Sequence, residues 1–139
     1  RLERSPVEIQ VTGDGLHVTL FNRSNHPIFD GQTAELTEWG ELALQNLAWI
    51  AEHHRFRVRV DAHTYAADSE HPNDIDLWDL TLKQANIARK RLDYHALEPD
   101  RFDQVSGFAD SHPIEDHSRD ATDNQRLEIS FVLNSGSSL

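Results

Sequence analysis

Residues 74–92, DIDLWDLTLKQANIARKRL, carry the pattern on which the fold turns. Leu77, Leu80, Thr81, Gln84, Ala85, Ala88 and Leu92 recur at helical spacing and mark the buried stripe of one long helix. Lys83, Arg89, Lys90 and Arg91 fall mostly beside or opposite that stripe, where charge stays in water. Asp74 and Asp76 are expected in the first turn and the basic residues in the last, in accord with the helix dipole. Immediately upstream, FRVRVD at 56–61 reads as a strand that runs on into AHTY at 62–65. Residues 66–73 form a loop made acidic by Asp68 and Glu70. Strand, polar turn, loop and helix together make a unit that can hold a ligand at the end of the strand.

The flanking segments build out from this unit. Residues 7–11 and 16–20 each alternate apolar and polar residues around a Gly-Asp-Gly turn, the mark of a hairpin of half-buried strands. Residues 37–54 read as a second long helix with Thr37 as its N-cap. Its apolar face takes in Leu36, Trp39, Ala43, Leu44, Leu47, Ala48, Ile50 and Ala51, and Trp39 and Trp49 read as packing residues. Residues 56–62 are expected to be the central strand, with Arg57 and Arg59 on one face and Val58 and Val60 on the other. Residues 102–108 and 126–133 supply further strands, separated by a polar loop over 109–124. The order hairpin, helix, strand, helix, strand, strand predicts an α+β fold: a two-layer sandwich of a mixed sheet with both helices on one face. The domain is expected to span 7–134, between a linker end at 1–6 and a tail at 135–139.

Composition narrows the function. At 139 residues the chain suits a single core, and its mean hydropathy of -0.63 describes a polar globule. No run approaches the ~20 apolar residues of a membrane span, and no signal peptide is visible. The chain starts at Arg1, which leads us to expect an excised fragment with any anchor lying upstream. A net charge of -11 argues against nucleic acid as a partner, because neutralising phosphates needs a basic surface. With no cysteine there is no disulfide and no thiolate chemistry, as suits an extracytoplasmic setting. The nine histidines read as surface residues: the 53–54 pair and His112 with His117 lack zinc-site spacing. Asp110, Asp116, Asp120 and Asp123 follow no calcium-loop spacing and read as a solvated loop. There is no G-x-S-x-G, no glycine-rich phosphate loop and no H-E-x-x-H, so nothing supports an enzyme.

Five segments in order give the chain a resemblance. Residues 15–20 with Pro27-Ile28-Phe29-Asp30 resemble a first strand ending in P-x-F-D, and Thr33-Ala34-Glu35-Leu36 resembles S-A-x-L. Residues 62–65 fall on G-H-T-D, residues 77–86 on N-W-E-L-S-x-x-R-A-N, and residues 124–127 on N-R-R-I. These are motifs of the OmpA-like peptidoglycan-binding domain, in the form found in MotB-type flagellar stator proteins. The resemblance implies a periplasmic domain of an inner-membrane-anchored protein, with no cofactor. It further implies peptidoglycan as ligand, a homodimer, and a membrane-embedded partner reached through the upstream segment.

In that family an aspartate of the T-D pair meets the ammonium of diaminopimelate, and the arginine of L-S-x-x-R-A meets a carboxylate. Here Tyr65 replaces the aspartate, Gln84 the arginine, and Leu77 the motif asparagine. The resemblance therefore assigns an altered ligand set of Asp30, Thr64, Tyr65, Thr81, Gln84 and Arg126. Losing two charge-assisted contacts of roughly 1.5–3 kcal/mol each weakens binding by about two orders of magnitude or more unless something compensates. Two readings stay open: a wall-binding module with an altered site, and a scaffold or protein-interaction module whose site is retired.

Overall fold

The structure is a computed structural model that describes residues 5–67, 74–95 and 99–133. In chain order the elements are β1 (Val7–Thr12), β2 (Gly15–Phe21), α1 (Glu38–Glu52), β3 (Phe56–His63), α2 (Leu77–His95), β4 (Phe102–Gly107) and β5 (Arg126–Leu133). Single 3-10 turns lie at Pro99–Arg101 and Thr122–Asn124. The five strands form one mixed sheet in the order β1-β2-β5-β3-β4. β3 and β4 run parallel with α2 as their crossover, and the other neighbours are antiparallel.

The expected α+β sandwich is observed. Val18, Leu20, Val58, Val60, Ala62, Leu127, Ile129 and Phe131 form the sheet's half of the core. Leu44, Leu47, Ala48 and Ala51 of α1 and Ala85, Ala88 and Leu92 of α2 close over them. Each fully buried Leu or Ile here removes apolar surface worth roughly 1.5–3 kcal/mol from water. In β3, Arg57 and Arg59 do face away from Val58 and Val60, which are fully buried. Among the described residues no helix is long and apolar enough to cross a membrane.

Several expectations are corrected by tertiary packing. The middle strand is β5, with β3 one place nearer the edge, because the C-terminal strand inserts between β2 and β3. β1 is not half-buried: Ile9 is 58% and Val11 76% exposed, since neither helix reaches over this edge. Trp39 packs against the core as expected, whereas Trp49 and Ile50 are exposed. α2 begins at Leu77 rather than Asp74, since the Asp76 carboxylate accepts from the N–H groups of Trp78 (3.0 Å) and Asp79 (3.3 Å) and so caps the helix. α2 also runs one turn further, to His95, which leaves Arg89, Lys90 and Arg91 in its interior. The acidic part of the loop at 68–73 and the tail beyond 133 lie outside the described residues.

Two close approaches position the candidate site. Thr37 caps α1 as expected, accepting from Gly40 N at 3.0 Å, while the Thr37 N–H donates to Ile28 O at 2.9 Å. With Ile28 and Phe29 buried, this pins residues 28–37 over the end of β3. At the other side, a Cβ on Gly107 would lie 2.4 Å from Leu82 N, so only glycine lets β4 approach α2 this closely.

Candidate functional site

Thr64 follows β3 directly, and it and Gln84 of α2 are both buried. They meet through a third residue, Gln125, which lies just ahead of β5 and is also buried. The Thr64 hydroxyl donates to Gln125 Oε1 at 3.1 Å, and Gln84 Nε2 donates to the same oxygen at 3.2 Å. Gln84 Nε2 also donates to Thr33 O at 2.9 Å, and Gln125 Nε2 to Gly31 O at 3.0 Å. Gln32 closes the set, with Nε2 donating to Thr64 Oγ1 and to Tyr65 O, both at 3.0 Å. Three carboxamides and a hydroxyl thus tie the 31–33 loop, the end of β3, α2 and the start of β5 into one neutral network.

Its electrostatics differ from those of a site for a zwitterion. Every residue in the network is uncharged, and the donors run in one consistent direction from Gln32 through Thr64 to Gln125. The Thr33 carbonyl requires an N–H from Gln84, which sets the orientation of that amide. Gln84 Oε1 is then left buried, and no donor among the described residues reaches it. An unmet acceptor of this kind costs about 1–3 kcal/mol. Here an N–H from outside would find a waiting partner.

The other assigned residues are placed elsewhere. Thr81 is fully buried as a bracket between α2 and the turn that follows β4: it donates to Leu77 O and accepts from Ala109 N, both at 3.0 Å. Asp30 is exposed, and its backbone rather than its side chain organises the loop, through Asp30 N to Glu35 O at 2.9 Å. Arg126, one residue after Gln125, turns to the opposite side. Its guanidinium donates to Glu128 Oε2, Asn124 O and His112 O, each at 2.9 Å. It therefore pins the 109–124 loop to the sheet rather than joining the amide network. Arg89 binds Asn86 on its own helix and does not stand in for a missing arginine at Gln84.

Gln32 and Gln125 were not singled out by the sequence reading. For Gln125 a signal was present, because it occupies the first arginine of N-R-R-I. Asp, Arg and Arg of the motifs have become Tyr65, Gln84 and Gln125, a loss of charge on both sides of the site at once. Gln32 carried no signal, since its role depends on where the 28–37 loop is folded.

On the sheet face away from the helices, His63 is nearly buried, stacks on Phe108 with ring centres 4.9 Å apart, and lies 3.3 Å from Glu128. The close approach of the His63 ring, and after it the Arg126 guanidinium 2.9 Å away, brings the Glu128 carboxyl down to about 2 despite partial burial. Asp61, opposite Glu128 across β3 and β5, moves the other way: burial, then repulsion from Glu128, raises its carboxyl. Among the described residues no group of three or more His, Asp or Glu side chains converges as a metal site.

With this fold and site in view, the family assignment is direct. The OmpA family matches residues 28–126, from the loop ahead of α1 to the first residue of β5, and the chain belongs to it. Among curated proteins it is similar to the putative truncated flagellar export/assembly protein LafU of Escherichia coli K12, 24% identical over 131 residues. It is equally similar, 24% over 138 residues, to motility protein B of Escherichia coli K12. The alignments cover 94% and 96% of this chain but only 62% and 44% of those proteins, so the chain spans about half the length of the curated relatives it matches. Among solved structures, the cell wall anchor of the type VI secretion system of Pseudomonas aeruginosa superposes with a TM-score of 0.73 at 20% identity, covering 93% of this chain and 89% of that one. The periplasmic domain of Helicobacter pylori MotB gives 0.68 at 19%, covering 92% and 82%. At these identities the structural likeness establishes the fold.

Proposed function

We propose that this chain is a non-enzymatic periplasmic domain that tethers a membrane-anchored complex to peptidoglycan. The observation that carries this reading is the OmpA-family match, which encloses all four segments of the amide network. The names of its relatives support the setting, since they include a motility protein, a flagellar export/assembly protein and a secretion-system wall anchor. A flagellar stator is the complex we favour, with the membrane-embedded partner reached through sequence outside this chain, and a homodimer as the working form. Recognition would run through neutral hydrogen bonds. Gln84 Oε1 takes an N–H of the stem peptide, while Gln32 gives up its contacts with Thr64 and Tyr65 to admit the ligand.

A second reading has its own support. A neutral network in which Gln32, Gln84, Gln125 and Thr64 bond one another is also what a retired site looks like, because replacing a charge pair as a unit strands neither charge. In that case the domain is a scaffold or protein-interaction module.

Co-sedimentation with purified sacculi separates the two, run beside a Tyr65→Asp/Gln84→Arg double variant whose folding is checked by circular dichroism. Pelleting of the wild-type chain supports tethering through the altered site. Pelleting of the double variant alone supports the retired site. If neither pellets while a MotB periplasmic domain does, the tethering reading fails.

A further inference from the structure

β1 is the outermost strand of the sheet, and among the described residues no strand pairs with its free side. Its hairpin with β2 closes on the pair Thr12 and Gly15 across a two-residue turn. In such a hairpin the closing pair is hydrogen-bonded and the bonded pairs then alternate. Glu8, Gln10 and Thr12 therefore bond to β2, and Val7, Ile9 and Val11 direct their N–H and C=O groups outward, where the Ser5 hydroxyl covers those of Val7, donating to Val7 O at 2.8 Å and accepting from Val7 N at 3.2 Å. The same three residues stand opposite Leu20, Val18 and Leu16, so their side chains share the helix-side face of the sheet. Ile9 and Val11 are more than half exposed there. Open edges in natural proteins are commonly blunted by Lys, by Pro or by a bulge, and β1 contains none of these.

We infer that β1 is a self-association edge, pairing antiparallel with β1 of a second copy about a two-fold axis at Ile9. The sequence VEIQV at 7–11 is complementary to itself in this register. Val7 faces Val11 of the second copy, Ile9 faces Ile9, and Glu8 faces Gln10. Once the Ser5 hydroxyl gives up Val7, all outward backbone groups meet outward backbone groups, apolar side chains meet apolar ones, and each carboxylate meets a carboxamide. Other registers do worse. A one-residue slip sets outward groups against groups already bonded to β2 and apolar against polar faces. A two-residue slip one way sets Glu8 against Glu8, a like-charge pair. The slip the other way sets Val7 against Gly13 and loses an apolar pair. The interface is small beside the ~1,600 Å² of a standard complex, so the dimer is weak and depends on concentration. Because each copy carries a net charge of -11, added salt strengthens it.

The chain has no cysteine, so single-cysteine variants report the register cleanly. In the inferred pairing the two Ile9 Cα atoms sit about 5.5 Å apart, within disulfide range. Under mild oxidation Ile9→Cys should cross-link to itself rapidly and Gln10→Cys slowly, while a mixture of Glu8→Cys and Gln10→Cys should yield the mixed dimer. Sedimentation of the unmodified 139-residue chain should show mass rising with concentration and with salt. Ile9→Lys, at a solvent-exposed position and checked for folding by circular dichroism, should weaken association about tenfold or more. The inference is overturned if the chain stays monomeric at about 1 mM, if Ile9→Cys cross-links no faster than Gln10→Cys, or if Ile9→Lys leaves association unchanged. That last result would assign the dimer to another surface or to a different partner.

Discussion

Gln84 shows how one side chain can hold both the stability and the chemistry of a site. Its amide N–H groups bridge Thr33 O and Gln125 Oε1, while its own oxygen has no donor. Truncation to alanine strands the Thr33 carbonyl and opens a void, so Gln84→Ala should cost about 2–4 kcal/mol in denaturant unfolding. Gln84→Glu places a carboxyl among carbonyl oxygens, and its folded-state pKa should rise. Stability of that variant should then fall more steeply than the parent's as pH rises from 5 to 8. Glu128 carries the opposite sign. Its carboxyl drops from 4.5 to about 2 on folding, so its contribution is full above 4.5 and is lost as pH falls from there towards 2. With a side chain 38% exposed, that contribution is screened, and Glu128→Gln should cost about 1 kcal/mol at pH 7 and flatten the acid limb of an unfolding profile. The helical period of residues 77–92 marked position 84 as buried, yet nothing in it revealed that the partners would be Gln32 and Gln125. Those residues lie 52 and 41 positions away along the chain.

Elements end where side chains meet stray backbone groups, and this sets the start of α2 at Leu77. Apolar spacing extends a helix in either direction, but only the Asp76 carboxylate on the Trp78 and Asp79 N–H groups stops it. Asp76→Ala should cost about 1 kcal/mol, and Asp74→Ala close to nothing, in thermal unfolding. The approach of β4 to α2 makes a sharper demand. Gly107→Ala would drive a Cβ to 2.4 Å from Leu82 N and 2.6 Å from Thr81 Oγ1, against backbone that cannot swing aside. A loss of about 1–3 kcal/mol is expected, larger than for alanine at Gly13, where nothing lies within 4 Å. In the sequence Gly107 read only as an interruption at the end of a strand, because the helix that excludes a Cβ there comes from 25 residues earlier.

At the scale of the whole molecule, charge and topology act together. Net charge of -11 on 139 residues opposes compaction, so raising NaCl from about 50 to 500 mM should raise the melting temperature. Alternation and helical period, read from the chain alone, determined the strands, the helices, their order and the α+β class, because burial period is a local property of the residues themselves. The OmpA motifs were equally legible, since they are contiguous. Tertiary structure alone decided that β5 takes the middle of the sheet, leaving β1 with a bare edge on which Ile9 and Val11 are exposed. It also decided that Gln125 and Arg126, adjacent in sequence, part to opposite sides, one into the amide network and the other onto Glu128 and the 109–124 loop. The physical reason is common to all three. Strand order, edge exposure and hydrogen-bond partners depend on contacts between residues far apart in the chain, and no local pattern records which of them will meet.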